Sequence, residues 1–245
     1  MKGFALTFHD EVELELTGVR DNRRFHLITD DGRLVSGNLA GSLVQVVAAS
    51  NPDGTSLTVR FPDGRVIEED VVLGATVETN FWGRPADGRL VKGDFSAALS
   101  DFVTRSVRLV RSEEPGAGSD RGSEGSVSIV STGTLERLAR EAGVEQVDGR
   151  RFRMLFTITG VAEHEEDGWL GRSVAIGGAV VRLQEVVGRC VVTTQDPNTG
   201  VPDLDTLRIL ARYRPPDSGE PLPIGVWGHV EKPGVVRVGD PVRAQ

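Results

Sequence analysis

Cysteine is nearly absent from this chain: Cys190 is the only one among 245 residues. A single thiol excludes an internal disulfide, and it excludes zinc or iron–sulfur sites built from several cysteines. It suits a reducing compartment, so a cytoplasmic location is expected. Positive charge is also in deficit. The 28 Lys and Arg stand against 36 Asp and Glu, a formal net charge of -8. Such a chain repels phosphate backbones and anionic lipid, so neither nucleic acid nor membrane is expected as a partner. Long apolar runs are missing, which argues against a membrane-spanning helix. The opening "MKGFALTFHDEVELE" has no apolar core of the secretory kind. Tyr213 is the only tyrosine. The four histidines, His9, His26, His164 and His229, show no HExxH or HxH spacing, so no metal pair on one helix or hairpin is expected.

What the chain does have is alternation. "EVELELTG" puts Val12, Leu14 and Leu16 on one face. In "RFHLITDDGRLVSG", Phe25 and Leu27 precede an Asp31-Gly32 turn, and Leu34 follows. "SLTVRFPDGRVIEED" repeats the device at Asp63-Gly64. Period-two spacing broken by Asp-Gly predicts hairpins. The period then becomes helical in "GDFSAALSDFVTR", with Phe95, Ala98, Leu99, Phe102 and Val103 as the stripe and Asp94 as N-cap. "SVRLVR" is expected to be a strand.

Residues 112–126, "SEEPGAGSDRGSEGS", carry no large apolar side chain and are expected to be a flexible loop or linker. They divide the chain into a β-rich domain, 1–111, and a second domain, 127–245. In the second, "SVSIVSTGTLERLAREAGV" predicts strand, turn and helix, capped by Thr132 or Thr134 and stopped by Gly143. "RRFRMLFTITG" and "SVAIGGAVVRLQEVVGRCVVTT" read as strands. "DLDTLRILARYR" reads as a helix with Leu204, Leu207 and Leu210 inward. "IGVWGHVEKPGVVRVGDPV" closes as strand, turn, strand. The fold class is mainly β, barrel-like, with a few short helices. Arg-Arg-Phe occurs twice, at 23–25 and 150–152: either coincidence, or two basic strand ends that meet one anion.

Chemistry narrows to Cys190. The acidic runs "EEP", "TDDG" and "EHEED" fall in polar stretches and suit solvated faces. Arg189 precedes the cysteine; Thr193, Thr194 and Asp196-Pro197 follow. A neighbouring guanidinium favours a thiolate, and a thiolate is a soft metal ligand. The alternative is a core cysteine in a β-strand.

Arg-Cys, Thr-Thr, Asp-Pro, a Leu-x-x-Leu helix and a closing "PGVVRVGDPV" together resemble the MOSC domain, over about residues 125 to 243. The preceding part is similar to the β-rich domain that comes before MOSC domains. The resemblance implies a molybdenum cofactor (molybdopterin) with Cys190 as metal ligand. It also implies cofactor contacts from Lys2, Arg24, Ser131, Thr134, Arg153, Arg189, Thr193 and Trp227. It implies an oxidoreductase that reduces N-hydroxylated or related N- and S-oxide small molecules, served by a separate electron-donor protein. Pyridoxal phosphate binding is a further term associated with the family. Two alternatives stay open: a sulfur carrier with a persulfide on Cys190, and a scaffold that holds no cofactor. Three positions depart from the reducing members. Arg153-Met154-Leu155 stands where they have Arg-Pro-Asn, Gly3 where they have Ser, and Trp227 where they have Tyr.

Overall fold

Four sheets, the largest of them mixed, and three α-helices make up the computed structural model, which describes residues 1–51, 53–114, 121–214 and 220–245. The protein is mainly β, and its largest sheet is nearly closed and barrel-like. The chain divides into two compact units. The first holds Met1–Phe8, Val19–Ser123 and Asn198–Gly200; the second holds His9–Gly18, Glu124–Pro197 and Val201–Gln245.

In the first unit, strands Phe25–Ile28, Arg108–Ser112, Arg84–Lys92 and Val72–Phe81 form a sheet in that order, all antiparallel. A second sheet joins Val47–Ser50, Ser56–Arg60 and Val66–Asp70. Both Asp-Gly turns form as the sequence predicts. Thr29 N–H donates to Arg33 O across the first, and Gly64 takes φ +90° in the second, a conformation that costs glycine nothing. Helix α1, Phe95–Val103, buries Phe95, Ala98 and Leu99 in the same core as Phe4, Leu27, Leu43, Leu57 and Leu109. Asp94 occupies the N-cap position, but its side chain makes no capping hydrogen bond.

In the second unit the six strands run in the order Phe156–Ile158, Val127–Ser131, Val226–Lys232, Ala179–Val186, Ser173–Ile176, Val242–Ala244. Only the first pair is parallel. Helix α2, Thr132–Ala142, follows its strand directly and ends at Gly143, φ +69°. Its cap is Ser131, not Thr132 or Thr134: the Ser131 Oγ accepts from the Thr134 N–H at 3.0 Å. Helix α3, Thr206–Tyr213, is capped by Asp205. It buries Thr206, Ile209 and Leu210, so the inner face is rotated from the expected leucine row, with Leu204 and Leu207 only partly covered. Leu138, Phe152, Ile209, Leu210 and Ile224 share one core.

Three expectations need correction. The first strand falls outside the unit that the 1–111 boundary implied. Glu11–Glu15 pairs antiparallel with Gly234–Arg237 and so sits in the second unit. The 112–126 linker is shorter than expected: Ser112 is a buried strand residue, and Gly122–Gly125 makes a turn of 3-10 helix. Residues 115–120 of that stretch lie outside the described residues. Finally, "RRFRMLFTITG" is not one strand. Asp148 caps a 3-10 turn over Gly149–Phe152, Arg153 takes a left-handed φ of +52°, and the strand is only Phe156–Ile158.

Candidate functional site

Cys190 is not a core residue. Strand Ala179–Val186 has already ended, and the cysteine stands free and exposed at the N-cap of a 3-10 turn, Val191–Thr194. Its backbone is extended, φ -125° and ψ 177°. Its carbonyl is held from below: Cys190 O accepts from the Thr193 N–H at 3.1 Å and from the Thr193 hydroxyl at 3.0 Å. The same Thr193 hydroxyl meets Thr206 Oγ1 at 2.7 Å, and both threonines are buried. Thr193 therefore anchors the loop to the start of α3.

The Arg189 guanidinium is held by backbone carbonyls and a sulfur. Nε and Nη2 donate to Ile224 O, Nη1 donates to Phe152 O at 3.0 Å, and Nη2 meets Met154 Sδ at 2.9 Å. The group lies 5.2 Å from the Phe152 ring centre. On the far side of the cysteine, Arg151 does the corresponding work. It is buried, pairs bidentately with Asp203 at 2.6 and 2.7 Å, and donates to Gln195 O at 2.7 Å. Sequence reasoning missed Arg151, because nothing in "GRRFR" says which arginine turns inward.

Ser131 and Thr134 are where a strand-to-helix anion site would be, yet the site is filled by this chain's own carboxylate. Glu166, fully buried, accepts from the Ser131 N–H at 3.0 Å and from the Thr134 hydroxyl at 2.7 Å. The N-terminal end of α2 thus already faces a carboxyl group of this chain. Both residues are buried and engaged, so they do not fit a cofactor phosphate. Glu166 was also missed: it lies in "EHEED", which reads as a solvated acidic run. That stretch is instead partly buried against α2 and α3. Burial and the nearby Arg214 charge push His164 below its usual range; burial raises Asp167 despite its 2.6 Å pair with Arg214, and raises Tyr213 to about 12.

Arg153 and Trp227 lie half-buried in the second unit, Trp227 on strand Val226–Lys232 opposite Ser128. Leu155, where a side-chain amide would have offered hydrogen bonds, donates only its backbone N–H here, to Ser128 Oγ at 3.0 Å. In the first unit, Lys2 is buried with its ammonium 5.8 Å from the Phe81 ring centre. Arg24 pairs with Asp21 at 2.6 Å. Close to Lys2 lies a polar core the sequence did not announce. His26, fully buried, meets Thr79 Oγ1 at 2.9 Å and Ser112 Oγ at 3.4 Å. Burial, then the Lys2 charge, lowers its pKa to about 3.

Among the described residues no group of three or more His, Cys, Asp or Glu could hold a metal ion. A metal here would need one protein thiolate and sulfur from elsewhere, and the exposed Cys190 fits that role. No helix is long and apolar enough to cross a membrane.

Residues 117–243 match the family model described as MOSC domain. The mitochondrial amidoxime-reducing component 1 of Mus musculus is 36% identical to this chain, across 98% of it and 77% of its own length. The mitochondrial amidoxime reducing component 2 of Bos taurus is 28% identical, across 95% and 77%. Among solved structures, the YuaD protein of Bacillus subtilis aligns over 96% of this chain and 84% of its own, with TM-score 0.42 and 13% identity.

Proposed function

The chain belongs to the MOSC domain family, and on that premise we propose that it is a molybdenum-cofactor oxidoreductase that reduces N-hydroxylated or related N- and S-oxide compounds. The observation that carries the reading is the exposed thiol of Cys190, free at the mouth of a loop in which Arg189 is held by the Ile224 carbonyl and Thr193 by the Cys190 carbonyl and the buried Thr206. A thiolate is a soft metal ligand, and an exposed one is open to a metal that a bound cofactor carries. The names of the two relatives support the substrate class.

Cys190 is assigned as the metal ligand, with Arg153 and Trp227 as the second unit's candidates for contact with the pterin. When bound, the molybdenum centre supplies two-electron chemistry and oxygen-atom transfer. The protein's own part is to hold one sulfur in a fixed place and to keep that place open to solvent and substrate. Thr193 fixes the carbonyl of Cys190, and the 3-10 turn keeps the side chain on the outside. Electrons are assigned to a separate donor protein, since one cysteine leaves no thiolate set for an iron–sulfur relay within the chain.

The test is metal content. The protein is produced in a host that makes the molybdenum cofactor, and molybdenum per chain is measured for wild type and Cys190→Ala. Near-stoichiometric metal in the wild type, lost in a correctly folded Cys190→Ala, is the expected result. Folded wild type without metal would overturn the reading and leave a sulfur carrier or a scaffold that holds no cofactor.

A further inference from the structure

Two arginines tie the Cys190 loop to the Gly149–Phe152 turn, one reaching out from before the cysteine and one reaching in to just after it. Arg189, one residue before the cysteine, donates to Phe152 O and Ile224 O. Arg151, the neighbour of Phe152 in the same 3-10 turn, reaches past the cysteine to Gln195 O and to Asp203. The backbone joins in: Val187 N–H donates to Gly225 O, Arg189 N–H to Pro221 O, and Asp203 N–H to Thr194 O. Residues 187–189 and 193–195 are therefore tied down on either side, and the thiol between them is the part left exposed.

We propose that Arg189 and Arg151 are positioning residues, a paired brace through the Gly149–Phe152 turn that fixes where the Cys190 sulfur stands, and that Arg189 makes no contact with cofactor. This deepens the molybdenum reading and rests on it for the identity of the ligand that Cys190 holds. The fork matters more than the charge. A guanidinium can donate in two directions from one plane, to carbonyls on two segments; an ammonium is a compact point charge. The Arg189 guanidinium also lies 5.2 Å from the Phe152 ring centre, within reach of a cation–π attraction.

The experiment uses the full chain as wild type, Arg189→Lys, Arg189→Ala and Asp203→Asn, with two readouts. The first is molybdenum retained through dialysis by protein made with cofactor. The second is the rate at which iodoacetamide alkylates Cys190 in cofactor-free protein. Arg189→Lys is expected to keep its circular dichroism, to weaken metal retention by roughly 10- to 100-fold, as loss of an outer-shell partner does, and to change the alkylation rate several-fold. Asp203→Asn, the milder change on the other flank, should move both readouts in the same direction; it carries the test if Arg189→Lys does not fold. Methylguanidinium added to Arg189→Ala should restore both, which a general loss of stability would not allow. Wild-type metal retention together with a wild-type alkylation rate in folded Arg189→Lys or Asp203→Asn would overturn the brace. If wild type holds no molybdenum, the oxidoreductase reading fails, while the alkylation rates still decide the brace.

Discussion

His26 shows how much one buried side chain can set. It is enclosed among Thr79, Ser112 and the edge of Phe81, whose ring centre is 4.9 Å away. Lys2 adds a positive charge to that surrounding, so the folded protein holds the imidazole neutral down to about pH 3. The unfolded chain protonates it near 6.5. Between those values the unfolded state binds more protons, so stability is intact above pH 6.5 and falls as pH drops through the window, by up to about 1.4 kcal/mol per pH unit. Urea unfolding at pH 7 and pH 5 should show that loss in wild type and a flatter dependence in His26→Gln. Equal slopes would contradict it. Glu166 is the acidic counterpart. Glu166→Ala leaves the Ser131 N–H and the Thr134 hydroxyl without their acceptor, and should cost about 3 kcal/mol in the same assay, whereas Glu166→Gln should cost less.

At the scale of elements, the α2 N-terminus brings together a cap, a hydroxyl pair and a carboxylate from 32 residues further on. Ser131→Ala removes the cap and is expected to lower stability by about 1 kcal/mol, read as a lower melting temperature. Which elements the sequence made legible follows from how local their causes are. The two Asp-Gly hairpins, α1, α2 and α3 all rest on neighbours a few residues apart, and they were read correctly in kind. The sharpest hairpin was not anticipated. Phe81 faces Arg84 across a two-residue turn of Trp82 and Gly83, both at positive φ. Tryptophan is a poor choice for that conformation, so turn chemistry gives no signal, and the Asn80 side chain supplies the bond to the Gly83 N–H instead. The strand expected at 150–160 failed because Asp148 captures the Arg150 N–H and starts a turn before alternation can matter. The site was legible as far as Cys190 and its motif. Arg151, Asp203 and Glu166 were hidden because their partners lie 52 and 35 residues away and only tertiary structure brings them in.

At the scale of the whole chain, the second unit is assembled from separate stretches of sequence. Its strand Glu11–Glu15 pairs with Gly234–Arg237, covering an edge that residues 121–245 alone would expose. Bare edges invite pairing with other chains. A fragment of residues 121–245 should therefore associate or melt lower than the same fragment supplied with a peptide of residues 9–18, as measured by light scattering and thermal unfolding. No effect of the peptide would show that this strand contributes little. The pairing also has a schedule. Glu15 leaves the ribosome about 220 residues before Gly234, and at ordinary elongation rates that is a wait of roughly 10 to 40 seconds. Throughout it, strand Glu11–Glu15 lacks its partner, so a strand made well before most of the second unit is among the last to find its seat.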